Sequence, residues 1–171
     1  MNASPLSTIE DARPGDLPAV LSILNHYISN DHCTFDTEPW SVAQKQAWFD
    51  AFQADNPYRL LVARADGQLL GYAHSGAWRP KKAYQVTAET TVYLHPDAAG
   101  QGLGARLLRE LLATLAAAGV ERAVAGVAQP NPASDRLHAA LGFTRVGTFE
   151  RVGRKFGRHW DVTWWQRDTR A

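Results

Sequence analysis

The sequence is poor in the features that most quickly assign a chain to a class. It has a single cysteine, Cys33, which excludes an internal disulfide and fits a reducing compartment. No sign of charge dominates: 18 Lys and Arg against 17 Asp and Glu leave a formal net charge of +1. Nothing in that balance calls for nucleic acid or an anionic membrane as partner. No apolar run approaches the roughly 18–20 residues that span a bilayer. The opening stretch "MNASPLSTIEDARPGD" has neither a basic n-region nor an apolar h-region, so it is not read as a secretory signal. His26, His32, His74, His95 and His159 lack metal-ligand spacing, and no metal is expected. Internal repeats, low-complexity tracts and linkers are also missing. These absences leave a cytoplasmic globular protein without a nucleic-acid, membrane or metal partner.

What is present describes one α/β domain spanning residues 1–171, long enough for a real core at 45% hydrophobic and 20% charged residues. Six tryptophans are many for this length, and the adjacent Trp164 and Trp165 are expected to be buried or at an interface. "STIEDARPGD" reads as a short strand and a turn, with Asp16 as N-cap of a helix carrying Leu17, Val20, Leu21, Leu24 and Tyr27 at helical spacing. "SVAQKQAWFDAFQAD" reads as a second helix capped by Ser41. Asp66-Gly67 separates two apolar runs and predicts a hairpin. The basic connection "RPKKAYQ" leads into the strand "VTAETTVYL". Leu103, Leu107, Leu108, Leu111, Leu112 and Leu115 form a helical stripe that stops at Gly119. "ERAVAGVA" reads as a strand covered on both faces, Asn131-Pro132 as a helix start, and two further strands finish the chain. The predicted order is β-α-α-β-β-β-α-β-α-β-β.

The stretch "YLHPDAAGQGLGARLL" places three glycines within five positions between a strand and a helix, a setting suited to a phosphate-bearing ligand. A P-loop needs Lys-Ser/Thr after its last glycine, and Ala105-Arg106 stands there instead. Gly100, Gly102 and Ala105 satisfy the dinucleotide fingerprint, but its acid belongs at the carboxyl end of the next strand. Glu121 lies at that strand's beginning. What remains is a loop that wraps a pyrophosphate with backbone N–H groups at a helix N-terminus, without metal.

Ala99-Gly100-Gln101-Gly102-Leu103-Gly104 resembles the acyl-coenzyme A loop of the GNAT N-acetyltransferases, Q/R-x-x-G-x-G/A, with Ala99 departing at the first position. "NPASDRLHAALGF" resembles the family's second cofactor element. "TFDTEP", "AETTVYLHPD" and "VGRKFGRHWDVTWWQ" resemble its phosphinothricin N-acetyltransferase branch, in the same order over nearly the whole chain. The resemblance implies a mixed, mainly antiparallel sheet flanked by helices, with a cofactor cleft between the central strands. It implies acetyl-CoA as co-substrate, held by Val92, Tyr93 and Leu94, by the loop Gly100, Gln101, Gly102, Leu103, Gly104 and Ala105, and by Asn131. It implies a homodimer, to which the aromatic C-terminal strand would contribute.

Acetyl transfer to an amine needs a neutral amine, a polarised carbonyl and a proton for the departing thiolate. In "VTAETTVYL", Val86, Ala88, Thr90, Val92 and Leu94 fall on one face and Thr87, Glu89, Thr91 and Tyr93 on the other. The polar face is expected to line a cleft, where partial burial would raise the pKa of its one carboxylate, Glu89, towards that of a useful base. Glu89 matches the branch's catalytic glutamate. Asn131, Ser134 and His138 share one helix face beside Leu137 and Leu141. His138 occupies the position of the family's general acid, with Tyr93 as the second candidate. Cys33 has no paired His/Asn context, so direct transfer without an acyl-cysteine is expected. Arg79, Lys81 and Lys82 could hold an acidic substrate group. The resemblance places substrate contacts at Lys82, Ala83 and Tyr84, with Phe35 as an apolar wall. Val86 replaces a tryptophan of the herbicide-resistance enzymes. The expected acceptor is the α-amine of a phosphinothricin-, methionine sulfone- or methionine sulfoximine-type amino acid. The alternatives are a protein N-terminus, a polyamine, or a non-catalytic coenzyme A-binding sensor.

Overall fold

The computed structural model describes residues 7–53 and 55–171. β1 (Thr8–Asp11) leads through a 3₁₀ turn to α1 (Leu17–Asn30). Asp16 holds the N-cap position of α1, but its carboxylate does not cap that helix. It accepts the Arg13 backbone N–H at 2.7 Å and pairs with Arg64. α2 (Val42–Asp50) is shorter than its sequence pattern and tightens into a 3₁₀ turn at Ala51–Gln53; Ala54, also within that pattern, lies outside the described residues. Asp66 and Gly67, at φ 49° and 79°, form the left-handed two-residue turn that joins β2 (Leu60–Ala65) to β3 (Gln68–Ala77). β4 (Thr87–Leu94), α3 (Leu103–Ala117), β5 (Arg122–Gln129), α4 (Pro132–Ala140), β6 (Thr144–Lys155) and β7 (Arg158–Asp168) follow in the expected order.

Among the described residues the strands form one seven-stranded sheet, ordered β1-β2-β3-β4-β5-β7-β6. Neighbours are antiparallel except β4 and β5, which run parallel. One face carries Leu61, Ala63, Ala73, Ala88 and Ala123 and packs on the leucine stripe of α3. The other carries Leu60, Val62 and Tyr72 and packs on α1 and on Phe49 of α2. All six stripe leucines of α3 are buried, so the 3.6-residue pattern did place the helix correctly. β5 is buried on both sides at Ala123, Val124, Ala125, Val127 and Ala128. Trp164 and Trp165 are half-buried, and Trp165 packs against the α3 core. Val86 falls outside β4 and is exposed; its carbonyl accepts the Glu121 and Arg122 N–H groups. No helix among the described residues is long and apolar enough to cross a membrane.

Candidate active site

The site begins where the sheet comes apart. β4 and β5 pair at Thr87–Arg122, Ala88–Ala123 and Glu89–Val124, and the register ends there. β4 continues five residues beyond Glu89 along β3, and β5 five residues beyond Val124 along β7. The two strands therefore diverge from an apex at Glu89, opening a gap roughly 17 Å long at ~3.3 Å per residue. The Thr90 hydroxyl, donating to the Val124 carbonyl at 3.3 Å, closes the apex. Half of the backbone N–H and C=O groups of Thr91–Leu94 point away from β3 and into this gap, as on any strand with a neighbour on one side only. Such an edge is a template for an extended, amide-bearing ligand.

Because β4 and β5 are parallel, their carboxyl ends lie at the same mouth of the gap. From β4 comes the glycine loop. Gly100 and Gly102 adopt φ 78° and 77°, a left-handed conformation costly for other residues. Gly102 is the N-cap of α3 and, among the described residues, no side chain caps that end. The first N–H groups of α3 are thus presented to whatever occupies the mouth. The Gln101 side chain is turned back to the Asp97 carbonyl at 3.2 Å. From β5 comes Asn131, whose Oδ1 accepts the Ser134 N–H at 3.1 Å and caps α4.

Glu89 sits at the apex on the α1/α2 face. Burial raises its carboxyl above the ordinary range, and the Arg79 guanidinium pulls it partly back. Arg79 stacks 5.1 Å from the Trp78 ring at the end of β3. Lys82, Ala83 and Tyr84 form an exposed 3₁₀ turn in the same connection, with Tyr84 edge-on to Trp78 at 5.2 Å. Tyr93 lies between Tyr27 and Tyr72, at 5.5 and 5.6 Å, and burial pushes its hydroxyl well up.

His138 lies on the opposite face of the sheet. Its ring packs edge-on to Phe143 at 5.0 Å and near-parallel to Trp165 at 6.2 Å. Trp165 pairs with Ala125, one residue past the apex, so the ring against which His138 packs lies near the level of Glu89. His138 is 4% exposed, and burial lowers its pKa. Its Nδ1 lies 2.8 Å from the Ser134 carbonyl, which can only accept. The neutral ring therefore carries its proton on Nδ1, and Nε2 is left as an acceptor.

The C-terminal hairpin builds the wall opposite. Lys155 of β6 is 4% exposed, and its Nζ donates to the carbonyls of Asp31 at 2.6 Å, Thr34 at 2.8 Å and Tyr27 at 3.5 Å. Three donors meet three carbonyls, which is what lets a buried ammonium persist. Beside it, Gly153 leaves room for the Phe35 ring; a Cβ there would collide with it. Glu89, Val92–Leu94, the glycine loop and Asn131 thus surround one gap, with Phe35 held by the hairpin and residues 82–84 on the loop before β4. Sequence reasoning passed over Lys155 and Gly153. It also passed over His74, Trp48 and Phe52, which surround a cavity of about 210 Å³ on the Glu89 face. The alternation of Tyr72, His74 and Gly76 along one strand was the available signal for the latter.

The acetyltransferase (GNAT) family model matches residues 25–143. A phosphinothricin N-acetyltransferase of Streptomyces coelicolor is 49% identical over 160 residues, covering 91% of this chain and 94% of that protein. An L-methionine sulfoximine/L-methionine sulfone acetyltransferase of Pseudomonas paraeruginosa is 42% identical, covering 94% and 93%. The crystal structure of a phosphinothricin acetyltransferase from Sinorhizobium meliloti in complex with acetyl-CoA superposes with a TM-score of 0.90 at 34% identity, covering 95% of this chain and 88% of that one.

Proposed function

The chain belongs to the acetyltransferase (GNAT) family, and from that premise we propose that it transfers the acetyl group of acetyl-CoA to the α-amine of a small amino acid of the phosphinothricin, methionine sulfone or methionine sulfoximine type. The whole of residues 1–171 is taken as one acetyltransferase domain. The observation that carries the substrate class is Glu89 at the apex of the splayed strands with the Arg79 guanidinium acting on it. A carboxylate for an ammonium and a guanidinium for a carboxylate, side by side, suit an α-amino acid. They do not suit a polyamine, which has no anion for the basic loop.

Acetyl-CoA supplies the acetyl group as an activated thioester. The bare α3 N-terminus suits its pyrophosphate, with Gly100, Gln101, Gly102, Leu103, Gly104 and Ala105 around it. The β4 edge at Val92, Tyr93 and Leu94, where the Leu94 carbonyl also accepts from the Tyr27 hydroxyl at 2.8 Å, suits its amide-bearing arm, and Asn131 flanks the mouth. Glu89 takes the ammonium proton, leaving a neutral amine to attack the thioester carbonyl. As the C–N bond forms and the C–S bond breaks, nitrogen loses a second proton and sulfur gains one. His138 is assigned that second transfer: neutral at rest, Nε2 takes up the proton and passes it to the departing thiolate. Tyr93 is the reserve donor. Cys33, its thiol pushed up to about 12 by burial, is a poor nucleophile at neutral pH, which supports direct transfer. Phe35, Lys82, Ala83 and Tyr84 complete the acceptor side.

The protein is read as cytoplasmic and homodimeric. Val146, Phe149 and Val152 of the edge strand β6 are 61%, 61% and 58% exposed, and exposed apolar side chains on an unpaired sheet edge suit a second copy rather than water. The half-buried tryptophans of β7 lie one strand further in.

Thiol release from acetyl-CoA with phosphinothricin, methionine sulfone, methionine sulfoximine, spermidine and a short peptide tests the reading. Glu89→Gln should lower kcat by on the order of 10²–10⁴ with the amino acids. A protonated carboxyl cannot accept a proton, so wild-type kcat/KM should rise with pH through a midpoint above the ordinary glutamate value, and Glu89→Gln should lack that limb. Full activity in Glu89→Gln, or release only with spermidine or peptide, would sink it.

A further inference from the structure

We propose that the cavity beside Glu89, walled by Trp48, Phe52 and His74, seats the acceptor's side chain and selects an uncharged, largely apolar one. The proposal rests on the amino-acid reading above and narrows it.

Opposite residues of an antiparallel pair share a face. On β3, Gly76 lies opposite Glu89, His74 opposite Thr91 and Tyr72 opposite Tyr93. The neighbour of the Glu89 side chain is therefore a glycine, and a Cβ built on it meets nothing within 4 Å. That space belongs to a cavity of about 210 Å³ whose aromatic walls are Trp48, Phe52, Tyr58 and His74, with Asn56 and Ser75 as uncharged polar members of the lining. At ~30 Å³ per water this is about seven water volumes, enough for a side chain of roughly four to six heavy atoms. Along β3 the order is cavity, Glu89's partner, then Arg79. With the amine at Glu89 and the carboxylate towards Arg79, the space left for the third substituent is the cavity on the His74 side.

The walls decide the chemistry. Trp48 and Phe52 meet edge-on at 5.1 Å, and both present edges or faces to His74 at 5.4 and 5.9 Å. Burial pushes His74 down to about 4, so its ring is neutral at working pH. Among the described residues no Asp, Glu, Lys or Arg lines the cavity. A charged tip would lose its hydration without gaining a counter-ion. Lys45 lies outside the lining, its ammonium over the Trp40 and Trp48 rings at 4.3 and 5.3 Å, so it repels a cationic tip at a distance and gives an anionic one no contact ion pair to replace its water. Methionine sulfone, neutral at its tip, should be preferred to phosphinothricin, whose phosphinate is an anion.

The test compares kcat/KM for alanine, norvaline, methionine, methionine sulfone, phosphinothricin and lysine in wild type, Gly76→Val and Phe52→Ala. Gly76 has ordinary backbone angles, and a β-branched residue suits a strand, so Gly76→Val is expected to fold. Wild-type kcat/KM should rise on the order of 100-fold from alanine to methionine, with methionine sulfone at least about tenfold above phosphinothricin and lysine. Gly76→Val should flatten the rise, and Phe52→Ala should shift the optimum to longer chains. A general structural defect would move both variants the same way. A flat wild-type series, an unchanged slope in Gly76→Val, or preference for phosphinothricin overturns the subsite and leaves the amino-acid reading standing. Thiol release with peptide or spermidine but no amino acid overturns both.

Discussion

The helix starts at Ser41 and at Gly102 are finished in opposite ways. At α2 the Ser41 hydroxyl accepts the Gln44 N–H at 3.3 Å and the Gln44 side chain accepts the Ser41 N–H at 2.9 Å, a reciprocal box that satisfies the end from within. At α3 a left-handed glycine stands in the capping position and, among the described residues, no side chain completes the end. The first arrangement serves the helix alone. The second forgoes a cap worth ~1 kcal/mol and leaves its donors unclaimed by any side-chain cap, as the proposed cofactor site requires. α4 stands between the two, capped by Asn131 yet opening on the same mouth as the glycine loop.

Substitutions should separate the three. Gly102→Val forces a β-branched side chain into a left-handed backbone and blocks the donors. Its kcat/KM for acetyl-CoA should fall on the order of 100-fold, with ~2 kcal/mol lost from stability by denaturant titration. Asn131→Ala should cost about 1 kcal/mol of stability and, on the proposed assignment of Asn131 to the cofactor site, raise the KM for acetyl-CoA roughly tenfold. Ser41→Ala should also cost about 1 kcal/mol and leave steady-state kinetics unchanged. Ala99→Gln, which supplies the side chain that the family pattern has before the glycines, should lower the KM about threefold with no change in melting temperature. A kinetic defect in Ser41→Ala, or none in Gly102→Val, would erase the distinction between the two ends.

The glycine loop and both Asx- and Ser-capped helices were legible in the sequence because each is a local event: a few consecutive residues whose backbone needs explain their identity. The leucine stripe of α3 and the Asp66-Gly67 hairpin were legible for the same reason. Asp16 shows where local reading stops. It is a good N-cap by type, but Arg64, 48 positions away in sequence, takes its carboxylate. Of the cavity at His74 only the strand floor was on view in the sequence, through the alternation of Tyr72, His74 and Gly76; its lid of Trp48 and Phe52 needs α2 laid over β3, a long-range packing that no window displays. The tautomer of His138 was hidden too, since it depends on the Ser134 carbonyl and on burial by Phe143 and Trp165. Lys155 reads on paper as one more exposed basic residue in a hairpin.

That lysine has a consequence in time as well as in space. Its contact with the Asp31 carbonyl spans 124 residues of sequence, so during synthesis the loop that carries Phe35 emerges long before the residue that fastens it. A nascent chain stopped short of Lys155 would already hold the glycine loop and the Glu89 strand, but the loop carrying Phe35 would be unmoored. The far end of the message thus fastens a loop begun near its start, and a frameshift in the last hairpin would release that loop without touching a single residue assigned to the chemistry.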